Sequence, residues 1–315
     1  MSVTADDAFD HADGSQPATP GSYGRAPRGA RLPAATRLGP VRLQVADLDR
    51  SLDFYAGSLG LRVLDRDAAE AVLGAVDDQR ALVALHERLG APPADGRPRL
   101  GLYHVALLLP DRAALGALVG HLAARGVRLG AGDHLVSEAF YLNDPDGLGL
   151  ELYADRPRAA WRRVGDELLM ATDPVDVGGM LAAAAGRSWT GMPAGTSVGH
   201  VHLHVGDLER AGALYGDGLG FDRTVWSYPG ALFFGAGGYH HHLGANTWAG
   251  ARAEAPDEDA ARLLEWMVEL PTSGDVDAVA RAVADGGFAA TRDGADLVVT
   301  DPWGTVVRLR AVQAR

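Results

Sequence analysis

The chain of 315 residues contains no cysteine and no lysine. The first absence removes disulfides, thiolate metal ligands and a cysteine nucleophile. Any metal must then be bound through histidine and carboxylate. The second leaves arginine as the permanent side-chain cation, 29 residues against 41 acids, for a formal net charge of -12. That balance argues against a nucleic-acid partner and against an anionic membrane surface. No apolar run approaches the ~20 residues that span a bilayer. The acidic, polar N-terminus carries no charged-then-apolar signal pattern. A cytoplasmic protein is the expectation. The length suffices for two ordinary domains, and a hydrophobic content of 47% makes most of the chain globular.

Residues 1–36 mix Asp, Gly, Ser, Pro and Ala without period and read as a disordered tail that includes His11. Beyond it lies an internal repeat. VADLDRSLDFYAGSLGL at 45–61 recurs as VGDLERAGALYGDGLGF at 205–221, and DPDGLGLEL at 144–152 recurs as DPWGTVVRL at 301–309. The chain is therefore a duplicated unit, 37–155 and 197–313, joined by a linker over 156–196. Each half divides again. The alternating strand VRLQV is followed by Asp47, which can cap a helix whose apolar face is Leu48, Leu52 and Tyr55. Gly60 ends that helix, and LRVLDR, EAVLGA and ALVAL follow as strands. The second quarter repeats the plan: strand LYHVALLL, Pro110-Asp111, a helix to about 125, then three strands. Quarters three and four run from Val198 to about Trp248 and from Leu264 to about Val312. The fold class is α+β, built from four βαβββ modules.

Four such modules in one chain resemble the vicinal oxygen chelate superfamily, over roughly residues 37–313. That superfamily includes glyoxalase I, thiol transferases, bleomycin-resistance proteins and extradiol dioxygenases. The resemblance implies that two modules curl into a partly open barrel, with metal ligands on the first and last strands of the paired modules.

The histidines are unevenly spread. Nine of the 11 fall in modules two and three, module one has His86 alone, and module four has none. Aligned, the first strands read GPVRLQV, LYHVALL, VGHVHLH and LEWMVEL, so one position holds Pro40, His104, His200 and Trp266. On the last strands, Glu151 of module two corresponds to Arg308 of module four. A lone histidine on an apolar strand is usually a packed core residue. Two at equivalent repeat positions, with a glutamate at the matching last-strand position, are a better fit to a metal site. The resemblance then implies that His104, His200 and Glu151 bind the metal, that modules two and three pair, and that modules one and four pair separately. In better-known members the catalytic pair lies within one half; here it straddles the repeat boundary. Two imidazoles and one carboxylate form the facial triad of non-heme iron oxygenases. The ligand set suits Fe(II) and also accepts Mn(II).

The segment GAGDHLVSEAFYLNDPDGLGLE is similar to the extradiol dioxygenase signature at Gly132, His134, Phe140, Tyr141, Asp144, Pro145, Gly147 and Glu151. DPDG by itself is a plain turn. The resemblance implies ring-opening of a catechol-type substrate by O₂, with His134, Tyr141 and His241 assisting proton transfer and orienting substrate. His241 belongs to the run GGYHHHLGANTW, and the sequence leaves open which of His240, His241 and His242 faces the site. His202 and His204 share a strand face with His200, either beside the ligands or as polar core, and His121 is expected on a helix surface. Two alternatives are a glyoxalase-like metal-dependent isomerase or thiol transferase, and a non-catalytic resistance protein that binds small molecules. Ring substituents and oligomeric state, a homo-oligomer included, are not legible.

Overall fold

The computed structural model describes residues 14–94 and 98–312, so His11 lies outside the described residues. A two-residue strand, β1 (Gln16–Pro17), precedes the repeat. Module one comprises β2 (Arg37–Val45), α1 (Leu48–Leu52), β3 (Arg62–Arg66), β4 (Glu70–Gly74) and β5 (Ala81–Glu87). Module two comprises β6 (Gly101–Leu108), α2 (Arg112–Ala124), β7 (Gly130–Asp133), β8 (Ser137–Asn143) and β9 (Gly149–Asp155). Between the halves lie β10 (Arg162–Val164), β11 (Glu167–Leu168) and α3 (Val177–Ala183). Module three comprises β12 (Ser197–His204), α4 (Leu208–Ala211), β13 (Asp222–Val225), β14 (Ala231–Gly235) and β15 (Leu243–Asn246). Module four comprises β16 (Arg262–Leu270), α5 (Ser273–Asp285), β17 (Ala290–Asp293), β18 (Asp296–Thr300) and β19 (Val306–Ala311). No helix among the described residues is long and apolar enough to cross a membrane.

Each module's helix starts on a side chain that satisfies a free backbone N–H. Asp47, Asp111 and Asp207 accept from the N–H groups of Arg50, Ala114 and Arg210, and Thr272 forms a reciprocal capping box with Asp275. The sheets then pair across the repeat. One eight-stranded sheet runs β13-β14-β15-β12-β6-β9-β8-β7, and the other runs β17-β18-β19-β16-β2-β5-β4-β3. Modules two and three thus share one curled sheet and modules one and four the other, as the superfamily resemblance implied. The central joints are antiparallel pairs, β12 with β6 and β16 with β2.

The two repeat motifs meet physically. Tyr55 Oη donates to Asp144 at 3.1 Å, and Tyr215 Oη donates to Asp301 at 2.6 Å. All four residues are buried. Each bond crosses from one sheet to the other within a sequence half, so it fastens the two barrels together. Burial pushes the Asp144 carboxyl up to about 6.

Two expectations need correction. Residues 14–36 are not a structureless tail. β1 pairs with β10, Arg25 bridges to Arg223, and buried Tyr23 donates to the Gly238 carbonyl at 2.8 Å. Arg31 forks onto Asp222 with two 2.7 Å bonds. Composition misled because a segment without its own periodicity can still be ordered by an existing surface. The stretch 156–196 is likewise more than a linker. β10 and β11 form a small sheet with β1, and Trp161, Leu168, Met170 and Ala171 are buried.

The β12–β6 joint carries two irregularities. His200 pairs with Ala106 and Val198 with Leu107, which leaves Gly199 as an extra residue on β12. A Cβ at Gly199 would sit 1.7 Å from Tyr153 Oη. Tyr153 is fully buried. Gly199→Ala should therefore lower the denaturant midpoint by an amount equivalent to about 1–3 kcal/mol, the usual cost of overpacking. An unchanged midpoint would show that Tyr153 has room to move.

Candidate metal centre

His104 lies on β6, and Glu151 lies on the adjacent parallel strand β9, where Ala106 pairs with it. On the other side of β6, His202 of β12 stands opposite His104, and His200 lies two residues before it on the same face. Three strands thus present His104, His200 and Glu151 to one point. Their ligand atoms all lie within 4.8 Å of one another. Glu151 Oε2 is 3.0 Å from His104 Nε2 and 3.1 Å from His200 Nε2. His104, Glu151 and His200 are 5%, 2% and 1% exposed.

The hydrogen bonding fits a metal better than a closed polar cluster. His104 Nε2, although 3.0 Å from Glu151 Oε2, is left buried without a hydrogen-bond partner, as is Glu151 Oε1. Buried polar atoms seldom remain orphaned. The atoms converge as ligands do, each turned toward a common centre. Burial holds both imidazoles below their usual pKa, which favours the uncharged form that coordination uses. Burial works against the Glu151 charge, but the two imidazoles outweigh it and hold the carboxyl well below its usual range. Neutral histidines and an ionised carboxylate are the states that coordination needs.

The positions in modules one and four offer nothing comparable. Trp266 is fully buried, and Arg308 pairs with Glu265 at 2.8 Å and with Asp293 at 2.7 Å. Among the described residues, no second group of three metal-ligating side chains has this geometry.

The other anticipated residues surround the centre. Tyr141 pairs with Glu151 across β8 and β9. Its hydroxyl is 2.5 Å from His134 Nε2, while His134 Nδ1 is 2.6 Å from the Ala171 carbonyl. A carbonyl can only accept, so Nδ1 carries the His134 proton and Nε2 accepts from Tyr141. Burial, with Glu151 nearby, raises the Tyr141 pKa well above the usual phenol value.

The three consecutive histidines take three different places. They precede β15 in an irregular turn, so strand alternation does not apply to them. His241 lines the cavity, with its ring centroid 4.1 Å from that of His200. His240 turns away, with Nε2 2.9 Å from Asp155 Oδ1 and Nδ1 2.7 Å from His241 Nδ1. The carboxylate accepts from His240 Nε2–H; with one proton on each ring, His240 Nδ1 then accepts from His241 Nδ1–H. That leaves His241 Nε2 unprotonated. Burial and the neighbouring His200 hold the His241 pKa well below its usual value. His242 lines a separate cleft and accepts the Ala236 N–H at Nδ1, 3.2 Å. Glycines shape this turn: Gly237 and Gly238 have φ of 60° and 66°, and a Cβ would lie 2.4 Å from the Ala34 carbonyl oxygen and 2.9 Å from Pro20. The N-terminal segment therefore props the histidine turn.

His202 lines the cavity and receives Asn246 Nδ2 at Nε2, 2.9 Å, while Asn246 Oδ1 engages His204 at 2.7 Å. His121 is half-buried on α2 against Trp189, away from the centre. Above His104, His200 and Glu151 opens a cavity of about 790 Å³. Its wall includes residues that sequence reasoning missed: Tyr103, Met170, Thr172, Tyr228, Phe233 and Trp248. Asp155, which orients His240, was also missed. Of these, Trp248 stood in plain view beside the histidine run.

A family model described as the Glyoxalase/Bleomycin resistance protein/Dioxygenase superfamily matches residues 37–152 and 197–309. The chain belongs to this superfamily. It is 44% identical over 270 residues to the catechol-2,3-dioxygenase of Bacillus subtilis (strain 168), across 85% of this chain and 94% of the relative. A crystal structure from Bacillus subtilis superposes with a TM-score of 0.63 at 14% identity, covering 90% of this chain and 86% of the other. Glyoxalase I of Zea mays superposes with a TM-score of 0.53 at 20% identity, covering 87% and 92%. These structural likenesses show the superfamily fold.

The buried histidines also set an acid sensitivity. Burial lowers the His242 pKa from 6.5 to about 3. Between those values the unfolded chain binds more protons than the folded one, so stability falls as the pH drops through that window. The slope is about 1.4 kcal/mol per pH unit for such a group. His242→Gln should flatten the pH dependence of the denaturant midpoint between pH 6 and 4 by about that slope. An equally steep dependence would assign the acid sensitivity to other groups.

Proposed function

We propose that this chain is an extradiol dioxygenase that inserts both atoms of O₂ into a catechol-type ring at a mononuclear non-heme centre. The observation that carries this reading is the buried convergence of two histidines and one carboxylate at the floor of the cavity. Kinship with a catechol-2,3-dioxygenase supports it. We assign His104, His200 and Glu151 as the metal ligands and Fe(II) as the metal, with Mn(II) suited to the same donors. Once held there, the metal would supply adjacent coordination positions for the two ring oxygens and for O₂.

The remaining roles belong to side chains. Tyr141 donates its O–H to His134 Nε2 as a hydrogen bond, so its oxygen is free to accept from a ring hydroxyl of the substrate. A proton leaving that hydroxyl can pass through Tyr141 to His134 Nε2 without creating a phenolate in a site that disfavours one. His241 presents an unprotonated Nε2 beside His200 and serves as the second base. Asp155 and His240 fix its tautomer. The glyoxalase-like alternative calls for a second carboxylate ligand, and none joins the cluster among the described residues.

The direct test loads metal-free protein with Fe(II) under argon and then admits air with catechol. A yellow ring-opened product is expected, and its absence with both Fe(II) and Mn(II) would sink the reading. Glu151→Ala should lose the bound metal while keeping its circular dichroism spectrum; retained metal would remove Glu151 from the ligand set. Asp155→Asn should retain the iron but lower kcat by about 10–100-fold with little change in KM, in line with loss of an orienting partner. A normal kcat would show that the His240–His241 link is dispensable.

A further inference from the structure

The wall of the cavity carries information about the substrate beyond its ring. Ligands and proton-handling groups occupy the floor. The opening is aromatic: Tyr103 and Trp248 are 39% and 44% exposed, and their rings meet edge to face at 5.7 Å. Tyr228 lies 6.1 Å from Trp248 and 5.6 Å from Phe233, and Met170 and Pro229 extend the apolar surface. Two features hold this wall in place. Trp248 Nε1 donates to the Pro229 carbonyl at 2.9 Å, which fixes the indole plane. Tyr103 faces the cavity beside His104 because of a bulge: His202 pairs with His104 and Leu203 with Leu102, so Tyr103 is the unpaired extra residue.

Charge is missing from this wall. The chain has no lysine, and none of its arginines lines the cavity among the described residues. The one acid there is Glu151, already engaged by two imidazoles. A volume of about 790 Å³ suits a ligand much larger than a single bare ring.

Resting on the dioxygenase reading, we infer that the cavity selects catechols bearing a bulky, uncharged substituent and rejects those with a carboxylate side chain. With the ring oxygens at the floor, the rest of the molecule lies against Tyr103, Tyr228, Phe233 and Trp248. An apolar group there exchanges water for aromatic contact. A carboxylate there would lose part of its hydration and meet no cation on the wall.

The test is anaerobic calorimetry on the Fe(II)-loaded protein, where no turnover intervenes. Isobutylcatechols are compared with the dihydroxyphenylacetates, which replace two methyl groups by two carboxylate oxygens, at ring positions 3 and 4. For at least one position the isobutyl compound should bind about 30-fold more tightly or better, the scale set by one unpaired charge. Trp248→Arg, at the partly exposed rim, should narrow or reverse that ratio. Equal binding of the two compounds at both positions would overturn the inference while leaving the dioxygenase reading intact, provided unsubstituted catechol binds. Failure of every catechol to bind would overturn both. A ratio unaffected by Trp248→Arg would also overturn the assignment of selectivity to this wall.

Discussion

The antiparallel pairing of β6 with β12 is the constraint on which the site depends. These strands come from different halves of the duplicated chain, and they carry His104 and His200. Pairing within each half would place each histidine opposite a module that offers Pro40 or Trp266 instead of a partner ligand. The cross-pairing also lets β9 run parallel beside β6 and bring Glu151 to the same face. The Tyr55–Asp144 and Tyr215–Asp301 bonds run the other way, within the halves and between the sheets. One set of contacts builds the barrels and the other locks them together, so neither half can be complete alone.

The centre is a liability to the fold unless a cation occupies it. Burying a polar atom without a partner costs about 1–3 kcal/mol, and His104 Nε2 and Glu151 Oε1 are both in that condition at the centre. Set against a typical net stability of about 5–15 kcal/mol, such a cost is significant. Metal binding returns it, because a ligand bound only by the folded state stabilises that state by mass action. The same logic explains why the surrounding histidines form directed chains. Asp155, His240 and His241 each satisfy the next, and Ala171, His134 and Tyr141 do likewise. In each chain one end is a fixed acceptor, and the other end, His241 or Tyr141, lines the cavity.

The scaffold's irregular parts do much of this positioning. Tyr23, Pro20 and Ala34, from the segment before the repeat, press against the glycines that turn the chain into the three histidines. Ala171 orients His134, while Met170 and Thr172 line the cavity. Glu167 accepts the N–H groups of Trp226 and Ser227, which anchors the loop leading to Tyr228. Strands fix where His104, His200 and Glu151 lie; the connecting segments shape the cavity around them.

This division explains what was legible in the sequence. Strand positions obey a short period and the duplication supplies an internal alignment, so the four modules could be read in advance, while their cross-pairing and the coincidence of His104, His200 and Glu151 were implied by the superfamily resemblance. The three consecutive histidines could not be resolved, because a period of two has meaning only within a strand and they lie in a turn. Tyr103 eluded the same rule in the opposite way. It neighbours His104 on one strand, and alternation would send it to the far face, but the bulge opposite His202 and Leu203 turns both side chains inward. Asp155 was invisible because its partner, His240, is 85 residues away and comes from the other half. Residues 14–36 lack periodicity because their order is borrowed from β10 and module three rather than generated locally. A single departure from regular geometry, such as the β6 bulge, can therefore redirect specificity while leaving every pattern that identifies the fold untouched.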